Sequence, residues 1–297
     1  MREYRKYLDP AVLSRVSALE LRARHVVEGY LAGLHRSPFH GRSVEFAEHR
    51  PYSPGYELRH IDWRLWARSD RFYVKLYEEE TNVRVYVLMD ASGSMSFRSA
   101  PMSKYDYGAT LAASLAYLLL MQQDAVGLSV FDSGIRAELP PTSSPAHVRT
   151  ICRTLEENAP ESDTDLGALL HRVADRLARR GLVILVSDLI APLDDILSAL
   201  HRLRYDGHSV IVVHVVDPAE RDFPFDGNVR FEALEGGGNV LTDARQVRAA
   251  YVESFQRFTR AVRDACLRQQ ADYLMAVTDQ PPGVTLARFL TSGAAGY

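Results

Sequence analysis

Cysteine is nearly absent: the 297-residue chain has two, Cys152 and Cys266. Both fall in stretches with helical periodicity, which excludes the disulfide framework of a small secreted scaffold. Reduced structural thiols in a cytoplasmic protein are expected instead. Long apolar runs are missing too. The longest candidate, Leu111 to Met121, is interrupted by Ser114 and falls short of the roughly 18 residues a membrane-spanning helix needs, so it reads as buried helix. The opening MREYRKYLDP carries charge with no apolar stretch behind it, which is not the pattern of a signal peptide. An excess of one charge is also lacking. Lys and Arg number 35 against 38 Asp and Glu, a net charge of -3, so no polyanionic partner follows from charge alone. There is no G-x-x-x-x-G-K-[ST] phosphate loop and no G-x-S-x-G nucleophile elbow, so neither a nucleotide-binding loop of that type nor a serine nucleophile is supported.

What is present is an ordinary globular composition, 46% hydrophobic and 25% charged. At this length a folded chain buries roughly 75% of its unfolded surface, enough for a core without a structural metal. Asp9-Pro10 reads as a helix start, and Val12, Val16, Leu19, Ala23, Val26, Val27, Tyr30, Leu31 and Leu34 follow at helical steps until Gly33 and Pro38 end the pattern. Residues 37–62 are punctuated by Pro38, Gly41, Pro51, Pro54 and Gly55, which suits a small β-rich extension. From residue 83 apolar runs alternate with helical patterns. Val83–Met89, Val126–Phe131, Leu182–Val186 and Val210–Val216 read as strands, with Ile135–Leu139 and Tyr273–Val277 beside them. Helices are expected at 104–123, 145–157, 165–180, 192–205 and 244–270. The spacing predicts an α/β fold with a doubly wound, mostly parallel sheet. The expected division is 1–80 for the helix and β-rich extension, 81–280 for the α/β domain and 281–297 for a C-terminal segment.

Open sheets of this kind place ligands beyond the carboxyl ends of their strands. Polar clusters fall there: Asp90-Ala91-Ser92-Gly93-Ser94 after the first strand, Ser162-Asp163-Thr164-Asp165 in a mid-domain loop, and Ser187-Asp188 after the strand from Leu182. The candidate ligands Asp90, Ser92, Ser94, Thr164 and Asp188 are all oxygen donors. A set without His or Cys suits Mg²⁺ or Mn²⁺ rather than zinc. Taken singly, each residue has a plain structural role as a turn, cap or loop residue; it is the combination at strand ends that points to a metal.

The D-x-S-x-S motif at Asp90, Ser92 and Ser94, with Thr164 and Asp188, resembles the metal-ion-dependent adhesion site of von Willebrand factor A domains. The upstream segment FAEHRPYSPGYELRHIDWRLWARSDRFYVKLYEEE, followed by VLMDASGSM, resembles domain-of-unknown-function family 58, which joins such an extension to an A-type domain. Tyr56 and Glu57 follow Gly55 where that family often carries paired acids. The resemblance implies a von Willebrand factor A-like fold and a non-enzymatic adaptor that binds a divalent cation. It further implies docking of an acidic residue of a partner, that partner being a MoxR-type AAA+ ATPase.

Two other functions compete. An Asp after the first strand also occurs in haloacid-dehalogenase-type phosphatases, but Ser92 stands where their second Asp should be, which removes the general acid of a metal-dependent hydrolase. His171 and His214 read as packing groups in a helix and a strand. Nucleic-acid binding would use the basic aromatic segment 50–75, with Arg59, Trp63, Arg64, Trp66 and Arg68 at its centre. Acids Glu57, Asp62 and Asp70 interrupt it, so charge pairing on a small β layer, or a protein-docking surface, is the better reading.

Overall fold

The computed structural model describes residues 19–34, 49–51, 73–75, 83–160, 166–177, 179–234 and 238–291. The chain divides into two compact units, one formed by Met1–Gly33 with Val83–Tyr297 and the other by Leu34–Asn82. In the smaller unit the described residues include two short strands, β1 (His49–Pro51) and β2 (Tyr73–Lys75), paired antiparallel with Arg50 opposite Val74.

The first described element of the larger unit is helix α1 (Leu19–Leu34). The remaining elements are β3 (Arg84–Asp90), α2 (Lys104–Met121), β4 (Ala125–Phe131), β5 (Ile135–Thr142), α3 (His147–Glu157), α4 (Leu166–Ala174), β6 (Leu182–Ser187), α5 (Leu193–Tyr205), β7 (Ser209–Val216), α6 (Pro218–Asp222), β8 (Asn228–Glu232), β9 (Asn239–Asp243), α7 (Ala244–Arg268), β10 (Asp272–Val277) and α8 (Pro282–Thr291). Six strands make one sheet in the order β10-β7-β6-β3-β4-β5. All neighbours are parallel except β5, which returns antiparallel along β4. This is the doubly wound, von Willebrand factor A-like α/β architecture. The chain works outward from β3 to β5, then restarts on the other flank with β6, so the strand order reverses between β3 and β6.

Alternation along the strands feeds two cores. Val85, Val87 and Met89 of β3 face α1, α2, α3 and α8, whereas Tyr86 and Leu88 face α4, α5 and α7. Every residue of β6 is buried, as expected for an apolar run covered by helices on both faces. Helix α1 contributes Leu19, Ala23, Val26 and Val27 to the first core, and the Leu19 amide donates to Glu156 Oε1 of α3 at 2.7 Å. This helix, grouped by sequence with the residues up to 80, thus packs in the core of the α/β domain. Helix α8 does the same through Leu286 and Phe289.

Helix α2 approaches the centre of the sheet closely because Gly108 lacks a side chain. A Cβ there would lie 3.0 Å from Val186 Cγ1 and 3.1 Å from Met89 Cε. The first turn of α2 is thereby held against the carboxyl ends of β3 and β6. Ser103 caps that turn by accepting the Asp106 amide. Several elements differ from expectation: helices α6 and α8 were not among those expected. The antiparallel hairpin β8–β9 was not anticipated, and α4 ends at Ala174 rather than near residue 180.

Candidate functional site

Asp90 ends β3 at the reversal point, and Asp188 follows β6 directly beside it. Both are buried, at 2% and 4% exposure. The Ala91 amide donates to the Phe131 carbonyl at 2.7 Å, which carries the sheet pairing one residue past β3. The chain then turns sharply. The Ser92 amide donates back to Asp90 Oδ1 at 2.9 Å, and Ser92 opens one turn of 3-10 helix over Gly93–Ser96. That turn sets Ser92 Oγ 3.1 Å from Ser94 Oγ. Across the reversal point, the Ser187 hydroxyl donates to Asp90 Oδ2 at 2.5 Å.

Asp90 thus accepts one hydrogen bond on each carboxylate oxygen, from the Ser92 amide and the Ser187 hydroxyl. Burial, and then the charge of Asp188, push its carboxyl up to about 7, against the bonds from Ser187 and Ser92. Asp188 is held differently. Its Oδ1 accepts the Ile190 amide at 3.3 Å, and its Oδ2 accepts Lys104 Nζ at 2.7 Å. Between them Leu189 takes a left-handed backbone, φ 58°, costly for a branched side chain and typical of functional turns.

Lys104 is the residue that sequence reasoning missed. Fully buried at the start of α2, it also donates to Glu220 Oε1 at 2.5 Å. Burial works to lower its pKa, but the charges and hydrogen bonds of Asp188 and Glu220 prevail and hold it above the ordinary lysine value. Glu220 belongs to a capping box on α6: its other oxygen accepts the Asp217 amide at 2.9 Å while Asp217 accepts the Ala219 amide at 2.8 Å. Asp217, fully buried after β7, also accepts the Ser99 amide at 2.8 Å and the Ser99 hydroxyl. One polar network therefore runs from Asp188 through Lys104 and Glu220 to Asp217, and ties the loop after β3 to the ends of β6 and β7. The Asp217-Pro218 pair at a strand end was the available signal for α6; nothing local pointed to Lys104.

Of the expected ligands, the structure brings together Asp90, Ser92, Ser94 and Asp188. Thr164 lies outside the described residues, as do Arg59, Trp63, Arg64, Trp66 and Arg68. Among the described residues no group of three or more His, Cys, Asp or Glu side chains is placed to hold a metal. The donors here are instead two carboxylates and paired hydroxyls. This set fits a hard divalent cation. Asp90, with Ser92 and Ser94 beside it, offers the charge that such an ion would neutralise, while Asp188 already shares one oxygen with Lys104.

His214 lies on β7 opposite Ser187, buried, with Nδ1 2.7 Å from the Tyr273 hydroxyl. Burial lowers its pKa to about 4, against the charge of Asp188. A packing histidine in a strand was expected there. His171, on α4, has Nε2 3.1 Å from Ser198 Oγ.

The fold and the strand-end oxygens define an A-type α/β domain. The chain belongs to the family described as protein of unknown function DUF58, whose model matches residues 48–261. Among its relatives is Rv1480 of Mycobacterium tuberculosis, 25% identical over 235 residues, 77% of this chain and 73% of the relative. Similar solved structures include an aerotolerance-related membrane protein of Bacteroides fragilis, 18% identical, with a TM-score of 0.49 over 71% of this chain and 99% of that one. Another is the manganese-loaded TRAP protein of Plasmodium vivax, 21% identical, with a TM-score of 0.34 over 45% of this chain and 57% of that one. Among the described residues of this chain no helix is long and apolar enough to cross a membrane.

Proposed function

We propose that this chain is a non-enzymatic cytoplasmic interaction module that holds Mg²⁺ or Mn²⁺ at Asp90, Ser92, Ser94, Thr164 and Asp188 and docks an acidic residue of a protein partner there. The observation that carries this reading is the meeting of Asp90, Ser92, Ser94 and Asp188 at the reversal point of the sheet, where open α/β folds bind ligands. A bound cation would supply positive charge for a partner's carboxylate. Asp90 supplies negative charge toward it, and the serine hydroxyls supply neutral donors that leave much of that charge uncancelled. Lys104 and Ser187 orient the two carboxylates.

The partner class follows from the family resemblance: a MoxR-type AAA+ ATPase that handles the nucleotide this chain has no loop for. The hydrolase alternative finds less support, because Ser92 occupies the position of the required second acid. A pull-down of the cognate ATPase, with Mg²⁺, with chelator and with Ser92→Ala/Ser94→Ala, tests the bridge. Capture in Mg²⁺ alone is expected; capture indifferent to all three conditions rules it out.

A further inference from the structure

Ser94 and Lys104 also line a cavity of about 350 Å³ whose walls are aromatic. The capping box starts α6, and Phe223, in left-handed backbone at φ 46°, stops it and sends the chain toward the β8–β9 hairpin. Phe223 then packs on α7, its ring 4.5 Å from that of Tyr251. Phe225 and Phe231 close around it at 5.1 and 5.6 Å. Interlocked rings make a stiff wall. At the rim Ile190 and Leu234 stand 60% and 51% exposed.

The polar groups of the cavity sort by place. Lys104 and Glu220 already satisfy each other, so they do not require an ionic guest. Glu220 and Glu232, both lining the cavity, disfavour an acidic one. Ser94 belongs at once to this lining and to the candidate cation site. A guest that complements both parts carries a carboxylate for the cation and an apolar group for the rings. The volume is at the low end of the roughly 300–1,000 Å³ of ligand clefts, which suits one or two large side chains.

We infer that this cavity receives a bulky apolar side chain, aromatic or leucine, from the same partner segment that brings its carboxylate to Asp90, Ser92 and Ser94. The inference rests on the docking function proposed above and names the partner's chemistry: an acidic residue with a large apolar neighbour. A displayed library of short peptides with one fixed Asp, selected on the full chain in Mg²⁺, tests it. Wild type should enrich a large apolar residue within a few positions of the Asp, and replacing it by Ala should weaken the selected peptide about tenfold or more. Phe231→Ala, and the solvent-side Leu234→Glu should the first fail to fold, are expected to lose the apolar preference and keep the acidic one. Enrichment of the same motif by wild type and both variants, or of no apolar residue at all, overturns the inference. An apolar preference that survives chelator upholds the cavity and overturns the cation bridge.

Discussion

Replacing Lys104 by Met keeps the volume of the side chain and removes its charge from between two carboxylates. The ammonium lies 2.7 Å from Asp188 and 2.5 Å from Glu220, and the three side chains are 1%, 4% and 20% exposed. Removing one partner of a buried pair costs about 3–5 kcal/mol, because the remaining charge stays desolvated. Two effects limit the loss. Glu220 keeps some contact with water, and an unpaired carboxylate can escape by taking up a proton, which at pH 7 costs about 4 kcal/mol for a group of ordinary pKa near 4. The expected loss is therefore about 3 kcal/mol at pH 7, shrinking toward pH 5 as protonation becomes easier. Urea unfolding of wild type and Lys104→Met at both pH values measures it. Mg²⁺ should raise the midpoint of the variant more than that of wild type, since the site gains one unit of negative charge. A loss below about 1 kcal/mol at pH 7 refutes the view that Lys104 is the internal counter-ion of this network.

His214, held near pKa 4 and faced by Tyr273, Phe258, Asp188 and Lys104, keeps its ring neutral in the fold while the unfolded chain protonates it near 6.5. Stability from this residue is full above about 6.5 and falls by roughly 3 kcal/mol as the pH drops to about 4. Asp90, raised to about 7, has the opposite slope, so the informative quantity is wild type minus His214→Gln; a difference flat in pH contradicts the assignment. Gly108→Val should destabilise by about 1–3 kcal/mol through overpacking against Val186 and Met89, and an unchanged melting temperature would show that α2 does not need this close approach. Cys152 and Cys266, both buried and with thiols pushed up to about 12 by burial, should resist a thiol reagent at neutral pH until denaturant is added. Rapid labelling of the folded protein would contradict that.

The strands were legible because each is an apolar run ended by polar residues: Val83–Met89 before Asp90, Leu182–Val186 before Ser187-Asp188. Their alternation with helices sufficed to place Asp90 and Asp188 at one end of one sheet. What escaped is non-local or short. Lys104 is separated from Asp188 and Glu220 by 84 and 116 residues, and no periodicity within α2 marks its first residue as a buried ion-pair partner. Ser187 was read as a strand end, whereas its hydroxyl spans the reversal point to Asp90. Strands β8 and β9 have five residues each, too few to establish a period, and their stability comes from rings such as Phe231 meeting Phe223 and Phe225. The aromatic cavity therefore depended on tertiary packing that sequence spacing does not encode.

The claim on which the functional reading stands is that Asp90, Ser92, Ser94 and Asp188 bind a divalent cation. Calorimetric titration of Mg²⁺, and separately Mn²⁺, into wild type, Asp90→Ala and Ser92→Ala/Ser94→Ala tests it directly. Saturable heat is expected in wild type and none in Asp90→Ala, with weakened binding in the double serine variant. Equal heats in wild type and Asp90→Ala would contradict it.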